Sequence, residues 1–353
     1  MKLSMISFTE NGMLLSENIA KLLDGTEYAL YTKCQSCCKE RQTMRLITQS
    51  IGEWAGEQFE EGNALLFIGA CGIAVRAIAP HITDKLRDSP VLVMDEKGQY
   101  VIPILSGHMG GANELAVVLA EKTGAEPIIT TATDLNNTFA VDLFAKKNVL
   151  TITNKDGIAK VSSKVLSGKR ITVSIEQGHF EKDDQLPREI ELVEYPPLQK
   201  VDVVVTSENR EFDTSMLLKP KEYAIGIGCK KGKESEKIEG FIVSNLQRAG
   251  IDLMRVFGMA SIDVKRDEPG LLAWSRKEKI PFITYTAEEL RSVKGDFHQS
   301  EFVKEQVGVD NVCERAALKM CKPGGRLIYE KHAEDGMTIA IARRKWRVSF
   351  DEK

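Results

Sequence analysis

Residues 106–112, Ser-Gly-His-Met-Gly-Gly-Ala, carry the densest chemistry of the chain. They follow an apolar, strand-like run at 101–105 and precede a helix-like run at 113–122. Glycines let backbone N–H groups approach a ligand closely, and a helix start leaves N–H donors unpaired. The loop therefore suits an anion or a polarised carbonyl, with Ser106, Gly107, Gly110 and Gly111 as its ligand-facing backbone. His108 inside it could act as a base or orient a water, and the positive helix end opposes its protonation. Glu114, in the first helical turn, complements the helix dipole. The competing account is a tight turn with no ligand, since glycine-rich strand–helix junctions are common in α/β proteins.

Two further glycine turns follow apolar runs. At 69–72, Gly72 opens a helix on which Arg76 could clamp a carboxylate or simply form a surface ion pair. At 226–232 the GxG spacing departs from the dinucleotide fingerprint, because Gly232 comes four residues after Gly228, and no Gly-Lys-Ser/Thr ending follows. Lys230, Lys231 and Lys233 make this turn basic, which suits an acidic ligand or a solvated helix start. Each turn is expected at the carboxyl end of its strand, where open α/β sheets place ligands. Thr130, Thr131, Thr133 and Asp134 could bind ligand oxygens or cap a helix. His179, His298 and His332 lack partners at ligand spacing and read as surface residues. No Gly-x-Ser-x-Gly elbow and no HExxH pattern is present.

Alternating strand and helix patterns must position these turns. They predict a multi-domain α/β chain with mainly parallel sheets flanked by helices, a smaller α/β middle domain and a separate α/β C-terminal domain. The expected boundaries are 1–135, 136–206, a polar linker at 207–221, and 222–353. Residues 44–59 read as one helix, and Asp95-Glu96-Lys97-Gly98 as a hairpin turn. A composition 42% hydrophobic and 28% charged excludes long-range disorder, and a net charge of −3 argues against whole-molecule nucleic-acid binding. No signal peptide and no bilayer-length apolar run is read, so a cytoplasmic protein is expected. Seven cysteines, an odd number, speak against a disulfide scaffold. The cluster Cys34, Cys37 and Cys38 could bind metal or sense redox state, but no second pair at zinc-site spacing follows. Cys71, Cys229, Cys313 and Cys321 read as small buried thiols.

With these residues in view, the chain resembles the cobalt-precorrin-5A hydrolase family of anaerobic cobalamin biosynthesis (CbiG). The resemblance rests on residues 72–80 (GIAVRAIAP), 95–98 (DEKG), 101–116 (VIPILSGHMGGANELA), 130–134 (TTATD) and 139–142 (FAVD). It continues at 226–229 (GIGC), 312–318 (VCERAAL) and Thr338, and is weakest over 148–221. It implies a cobalt-corrinoid substrate, cobalt-precorrin-5A. Water opens the ring A δ-lactone, and C20 with its methyl leaves as acetaldehyde, giving cobalt-precorrin-5B. No cofactor of the protein's own and no protein metal site is implied, because the substrate carries the cobalt. His108 and Glu114 are then the acid–base candidates. Gly72, Arg76, Ser106, Gly107, Gly110, Gly111, Asn113, Thr131, Gly228, Cys229, Lys230, Lys231, Glu314 and Thr338 are the substrate-binding candidates. A non-catalytic corrinoid carrier remains the alternative, with a nucleotide-dependent α/β enzyme behind it. A homodimer and transient contacts with neighbouring pathway enzymes are compatible with the resemblance. Nucleic acid and membrane partners are not expected.

Overall fold

The computed structural model describes residues 2–35, 43–180, 185–298 and 308–350. The chain forms two compact units, Met1–Thr138 and Phe139–Lys353. In the first, the order is β1 (Leu3–Ser7), α1 (Glu10–Leu22), β2 (Tyr28–Thr32), β3 (Met44–Leu46), α2 (Ile51–Glu60), β4 (Ala64–Ile68) and α3 (Cys71–Ile78). It continues with β5 (Val91–Met94), β6 (Tyr100–Leu105), α4 (Ala112–Thr123), β7 (Glu126–Pro127) and α5 (Ala132–Leu135). The strands lie in the order β3-β2-β1-β4-β5-β6-β7. Every residue of β1, β4 and β5 is buried, as strands covered by helices on both faces require.

Residues 44–59 are not one helix. Ser50 and Glu53 form a reciprocal capping box that starts α2 at Ile51, so residues 44–46 pair as a strand with β2.

The hairpin between β5 and β6 decides where the His108 loop lies. Asp95 closes it: its Oδ1 accepts from the Lys97 N–H, and its Oδ2 from those of Gln99 and Tyr100. Strands β1 to β5 are mutually parallel, whereas β6 runs against β5 and sets Leu105 opposite Val91. The carboxyl end of β6 therefore meets the amino end of β5. The turns at 69–72 and 106–111 occupy opposite edges of one sheet, separated by about 16 Å of five-residue strand.

The second unit holds two sheets. The first contains α6 (Val141–Lys147), β8 (Leu150–Ile152), α7 (Asp156–Leu166), β9 (Ile171–Ile175), β10 (Ile190–Val193), β11 (Val201–Val205) and β12 (Thr214–Pro220), in strand order β10-β9-β11-β12-β8. The expected linker at 207–221 thus contains β12, which lies between β11 and β8. Lys219 hides the alternation of Met216 and Leu218: its stem is buried in the strand and its ammonium donates to the Glu208 carbonyl.

Only Lys221 and Glu222 separate β12 from β13 (Tyr223–Cys229). Then come α8 (Ser235–Arg248), β14 (Val256–Ile262), α9 (Pro269–Glu278), β15 (Phe282–Tyr285), α10 (Ala287–Arg291), α11 (Cys313–Cys321), β16 (Arg326–Glu334) and β17 (Met337–Arg343). Their sheet order is β15-β14-β13-β17-β16. Asp335 and Gly336, both at positive φ, close the β16–β17 hairpin.

Residues 344–350, assigned above to the C-terminal domain, return to the middle sheet. The His179 ring stacks on Trp346 at 3.8 Å and its Nδ1–H donates to the Trp346 carbonyl at 2.8 Å. Phe350 packs against Phe139, Phe144 and Phe180. His179 is thus a docking residue for the tail rather than a lone surface histidine.

Candidate active site

Strands β6 and β7 run parallel, so their carboxyl ends present residues 106–111 and 128–134 side by side. The first loop is closed on itself. Ser106 takes a left-handed conformation (φ 56°), which costs a non-glycine residue roughly 1 kcal/mol or more. Its hydroxyl is buried with no hydrogen-bond partner among the described residues. A Cβ on Gly110 would lie 2.5 Å from Ser106 Cβ, and one on Gly107 would lie 2.6 Å from Asn113 Oδ1. Gly111 sits at φ 86° as the N-cap of α4. Close approach at Gly107 and Gly110 therefore serves the loop's own closure.

The start of α4 is also less open than its sequence suggests. The N–H groups of Gly111, Ala112 and Asn113 donate to the carbonyls of His108, Ser106 and Gly107, each at 3.1 Å. Among the described residues, the N–H groups of Gly107, Met109 and Gly110 are not taken up in this way.

His108 is held from the second loop. Its Nε2 lies 3.1 Å from Asp134 Oδ2 and 3.3 Å from Thr133 Oγ1. The same Asp134 oxygen accepts from Asn113 Nδ2 at 2.7 Å, and that amide also donates to Thr131 Oγ1 at 3.0 Å. The imidazole is only 12% exposed. Asn113 and Thr131, expected as substrate-binding residues, lie beside His108 as supports of its carboxylate partner. As a partner of His108, Asp134 was missed: the sequence leaves it between a ligand-oxygen contact and a helix cap, and the cap is not made, since Thr131 is the N-cap residue of α5 and no side chain makes a cap bond there. The available signal was a carboxylate at the end of a strand neighbouring β6. Glu114 is exposed on α4, about 100° around the helix from Asn113.

Gly72 and Arg76 do not join this group. They belong to the opposite edge, where the exposed Arg76 guanidinium donates back to the Gly72 carbonyl at 3.2 Å.

In the second unit, Gly228 of β13 pairs with Thr338 of β17, and a Cβ on Gly228 would lie 2.7 Å from Thr338 Oγ1. The following turn is tied down. The Lys230 N–H donates to the Gly336 carbonyl (3.0 Å), the Gly232 N–H to Glu268 Oε1 (2.6 Å), and Lys233 Nζ to Asp335 Oδ2 (2.6 Å). Burial acts to raise the Glu268 carboxyl, but Lys265 and the Gly232 N–H outweigh it and hold it below its usual range. Lys230 and Lys231 are exposed. Burial pushes the Cys229 thiol up despite Lys265 and Lys233, so it stays a thiol at neutral pH.

Glu314 does not face a ligand. It is 1% exposed and accepts four hydrogen bonds, from His298 N–H, His298 Nδ1, Asn311 Nδ2 and Lys331 N–H. Its carboxylate fastens residue 298 and β16 to α11, which gives His298 a partner that spacing did not reveal. Cys313 and Cys321 are buried as expected, and burial pushes both thiols up to about 12. Cys71 is exposed, against expectation. Cys37 and Cys38 lie outside the described residues. Among the described residues no group of three or more His, Cys, Asp or Glu could hold a metal ion, and no helix is long and apolar enough to cross a membrane.

Fold and site together define an α/β enzyme with a carboxylate-paired imidazole on a glycine loop. The model described as the cobalamin synthesis G N-terminal domain matches residues 53–134, and that of the cobalamin synthesis G C-terminus matches 223–342. The chain is 32% identical to a cobalt-precorrin-5A hydrolase from Salmonella typhimurium, covering 96% of this chain and 97% of that one. It is 29% identical to a protein of the same name from Priestia megaterium, covering 96% and 94%. A solved cobalamin biosynthesis protein G homologue from Sulfolobus solfataricus is similar at 21% identity and a TM-score of 0.41, covering 98% of this chain and 97% of that one. The chain belongs to the cobalt-precorrin-5A hydrolase (CbiG) family.

Proposed function

We propose that this protein hydrolyses the ring A δ-lactone of cobalt-precorrin-5A and releases acetaldehyde, leaving cobalt-precorrin-5B. The observation that carries the reading is the His108–Asp134 pair beside the glycine loop, within a chain similar over nearly its whole length to hydrolases of that name. Lactone hydrolysis needs a base for water and donors for the tetrahedral oxyanion. His108 takes the water proton, and backbone N–H groups of Gly107, Met109 and Gly110 face the developing oxyanion. Opening yields a carboxylate on the acetate arm and a hydroxyl on C20. Loss of that hydroxyl proton turns C20 into the aldehyde carbon. The C–C bond electrons pass into the conjugated macrocycle, which takes up a proton.

Incubation with cobalt-precorrin-5A and quantitation of acetaldehyde tests this: one equivalent per corrinoid is expected. Tight corrinoid binding without acetaldehyde would make the chain a carrier instead.

The substrate's peripheral carboxylates give the exposed Lys230 and Lys231 a role, whereas Lys233 is already paired. Changing both Lys230 and Lys231 to Ala is expected to weaken corrinoid binding and flatten its salt dependence while leaving single-turnover rates of the bound complex nearly unchanged. Equal affinity and salt slope in both proteins would return these lysines to the solvated surface.

A further inference from the structure

We propose that His298, oriented by the buried carboxylate of Glu314, is a second acid–base residue of this chain and the proton carrier of the C–C cleavage step. The inference rests on the reaction proposed above and supplies the base for its second step, loss of the C20 hydroxyl proton. Glu314 Oε1 lies 3.0 Å from His298 Nδ1, on a ring that is 57% exposed. An ionised carboxylate offers only lone pairs, and this one also accepts from the His298 and Lys331 N–H groups and from Asn311 Nδ2. His298 Nδ1 therefore meets an acceptor and carries the proton. In the neutral ring the lone pair lies on Nε2, the nitrogen that Glu314 does not bond.

A chance surface histidine would not be held this firmly. Its backbone is gripped from both sides: the His298 N–H donates to Glu314 Oε2 at 3.1 Å, and its carbonyl accepts from Asn311 Nδ2 at 2.9 Å. The chain leading to it is anchored as well, because Arg315 donates to the Val293 carbonyl at 2.7 Å and its guanidinium lies over the Phe297 ring at 4.3 Å. The result is a fixed but accessible imidazole, as proton transfer to a bound substrate requires. Its place in the fold fits too. Helix α11 starts against Gly226, near the end of β13, so Glu314 in its first turn lies toward the carboxyl edge of that strand, where open α/β sheets place ligands. Thr338, a substrate-binding candidate, pairs with Gly228 toward the same edge. Exposed Glu330 faces the other nitrogen, its Oε2 lying 3.8 Å from Nε2, beyond hydrogen-bond distance.

The chemistry balances on this one nitrogen. His298 Nε2 takes the proton of the C20 hydroxyl. The oxygen's electrons form the C=O of acetaldehyde, the bond from C20 to the macrocycle breaks, and its electron pair enters the conjugated ring. The imidazolium then returns the proton to the macrocycle carbon. No net proton, electron or co-reactant is needed. Lactone opening and C–C cleavage are separate steps, so His108 and His298 need not act at once. Glu314 is a positioning residue that acts through His298.

His298→Gln keeps an amide N–H for Glu314 and both backbone bonds of residue 298, so it should fold, but no ring nitrogen remains to take a proton. Mass spectrometry of quenched single turnovers with cobalt-precorrin-5A reads the two steps apart, because the lactone-opened intermediate is the substrate plus one water and still holds C20. The expected result for the full-length variant is that this species forms at close to the original rate while acetaldehyde release slows by about 10²-fold or more. A merely structural role would not slow one step selectively. Accumulation of unreacted lactone, or acetaldehyde at the original rate, would overturn the proposal. In Glu314→Gln the amide can donate to Nδ1, which moves the ring proton to Nε2, and the same intermediate should accumulate. If that variant fails to fold, nitrogen NMR of the unaltered protein at pH 8 decides the role of Glu314. The His298 signal, identified by its loss in His298→Gln, should be that of an Nδ1-protonated ring, and an Nε2-protonated ring would overturn the assignment. An unaltered protein that releases no acetaldehyde would count against the functional reading itself, whereas equal release from it and from His298→Gln would sink this proposal alone.

Discussion

With His108 replaced by Ala, acetaldehyde release from cobalt-precorrin-5A is expected to fall by about 10²-fold or more, the loss typical of a missing general base. The protein should stay folded. The ring bonds Thr133 and Asp134, and Asp134 keeps Asn113 as a donor when the ring is removed. His108→Gln sharpens the result, because its amide N–H can still reach Asp134 while no ring nitrogen remains to take a proton. Both variants should lose rate together if His108 is the base. A Gln variant that kept the original rate would reduce His108 to a hydrogen-bond donor. Single-turnover acetaldehyde formation, with circular dichroism to confirm folding, separates these outcomes.

The His108 loop was legible because strand, glycine turn and helix follow each other directly in the chain. Its surroundings were not, because they depend on strand direction. The hairpin at Asp95–Gly98 was itself readable, and it already required β6 to oppose β5. From that it follows that the loop after β6 lies away from the turn after β4, so Arg76 and His108 could not share an edge. The turns at 69–72 and 106–111 were each placed correctly at the end of their own strand, but a linear reading does not compare the edges.

Asp134 was obscured for a related reason. A carboxylate near a helix start has a sufficient local explanation as a cap, and only the pairing of β6 with β7 shows that it reaches His108 instead. Glu314 misled in the opposite direction. A charged residue in a recognisable motif suggests a ligand contact, yet its four donors come from residues 298, 311 and 331, whose convergence is tertiary. The strand at Thr214–Pro220 was missed because a lysine occupies an inward-running position.

The turn at Gly226 shows how a glycine motif can be real and yet mean something other than ligand binding, and it leads to the largest expected effect on stability. Gly226 lies within β13, a strand paired on both sides, and not in the turn that follows. Helix α11 presses its backbone onto this position. A Cβ at Gly226 would lie 1.8 Å from the Cys313 carbonyl oxygen and 2.8 Å from the Ala317 amide nitrogen. Ala316 and Ala317, both fully buried, keep the facing surface of the helix equally low. Even a methyl group therefore requires α11 to move as a body, breaking its packing on β13 and the Glu314 bonds that fasten β16. Gly226→Ala is expected to cost at or above the ~3 kcal/mol upper range of ordinary overpacking. It should lower the urea midpoint sharply or leave the chain insoluble. Gly258→Ala is the informative companion. Its Cβ would meet Met320 Cε at 1.9 Å, the mobile end of a flexible side chain that can swing aside. That variant should lose about 1 kcal/mol. Equal urea midpoints for the two variants would mean that the close contact at Gly226 yields as easily as a methionine tip, and that α11 is not seated on β13 through its backbone.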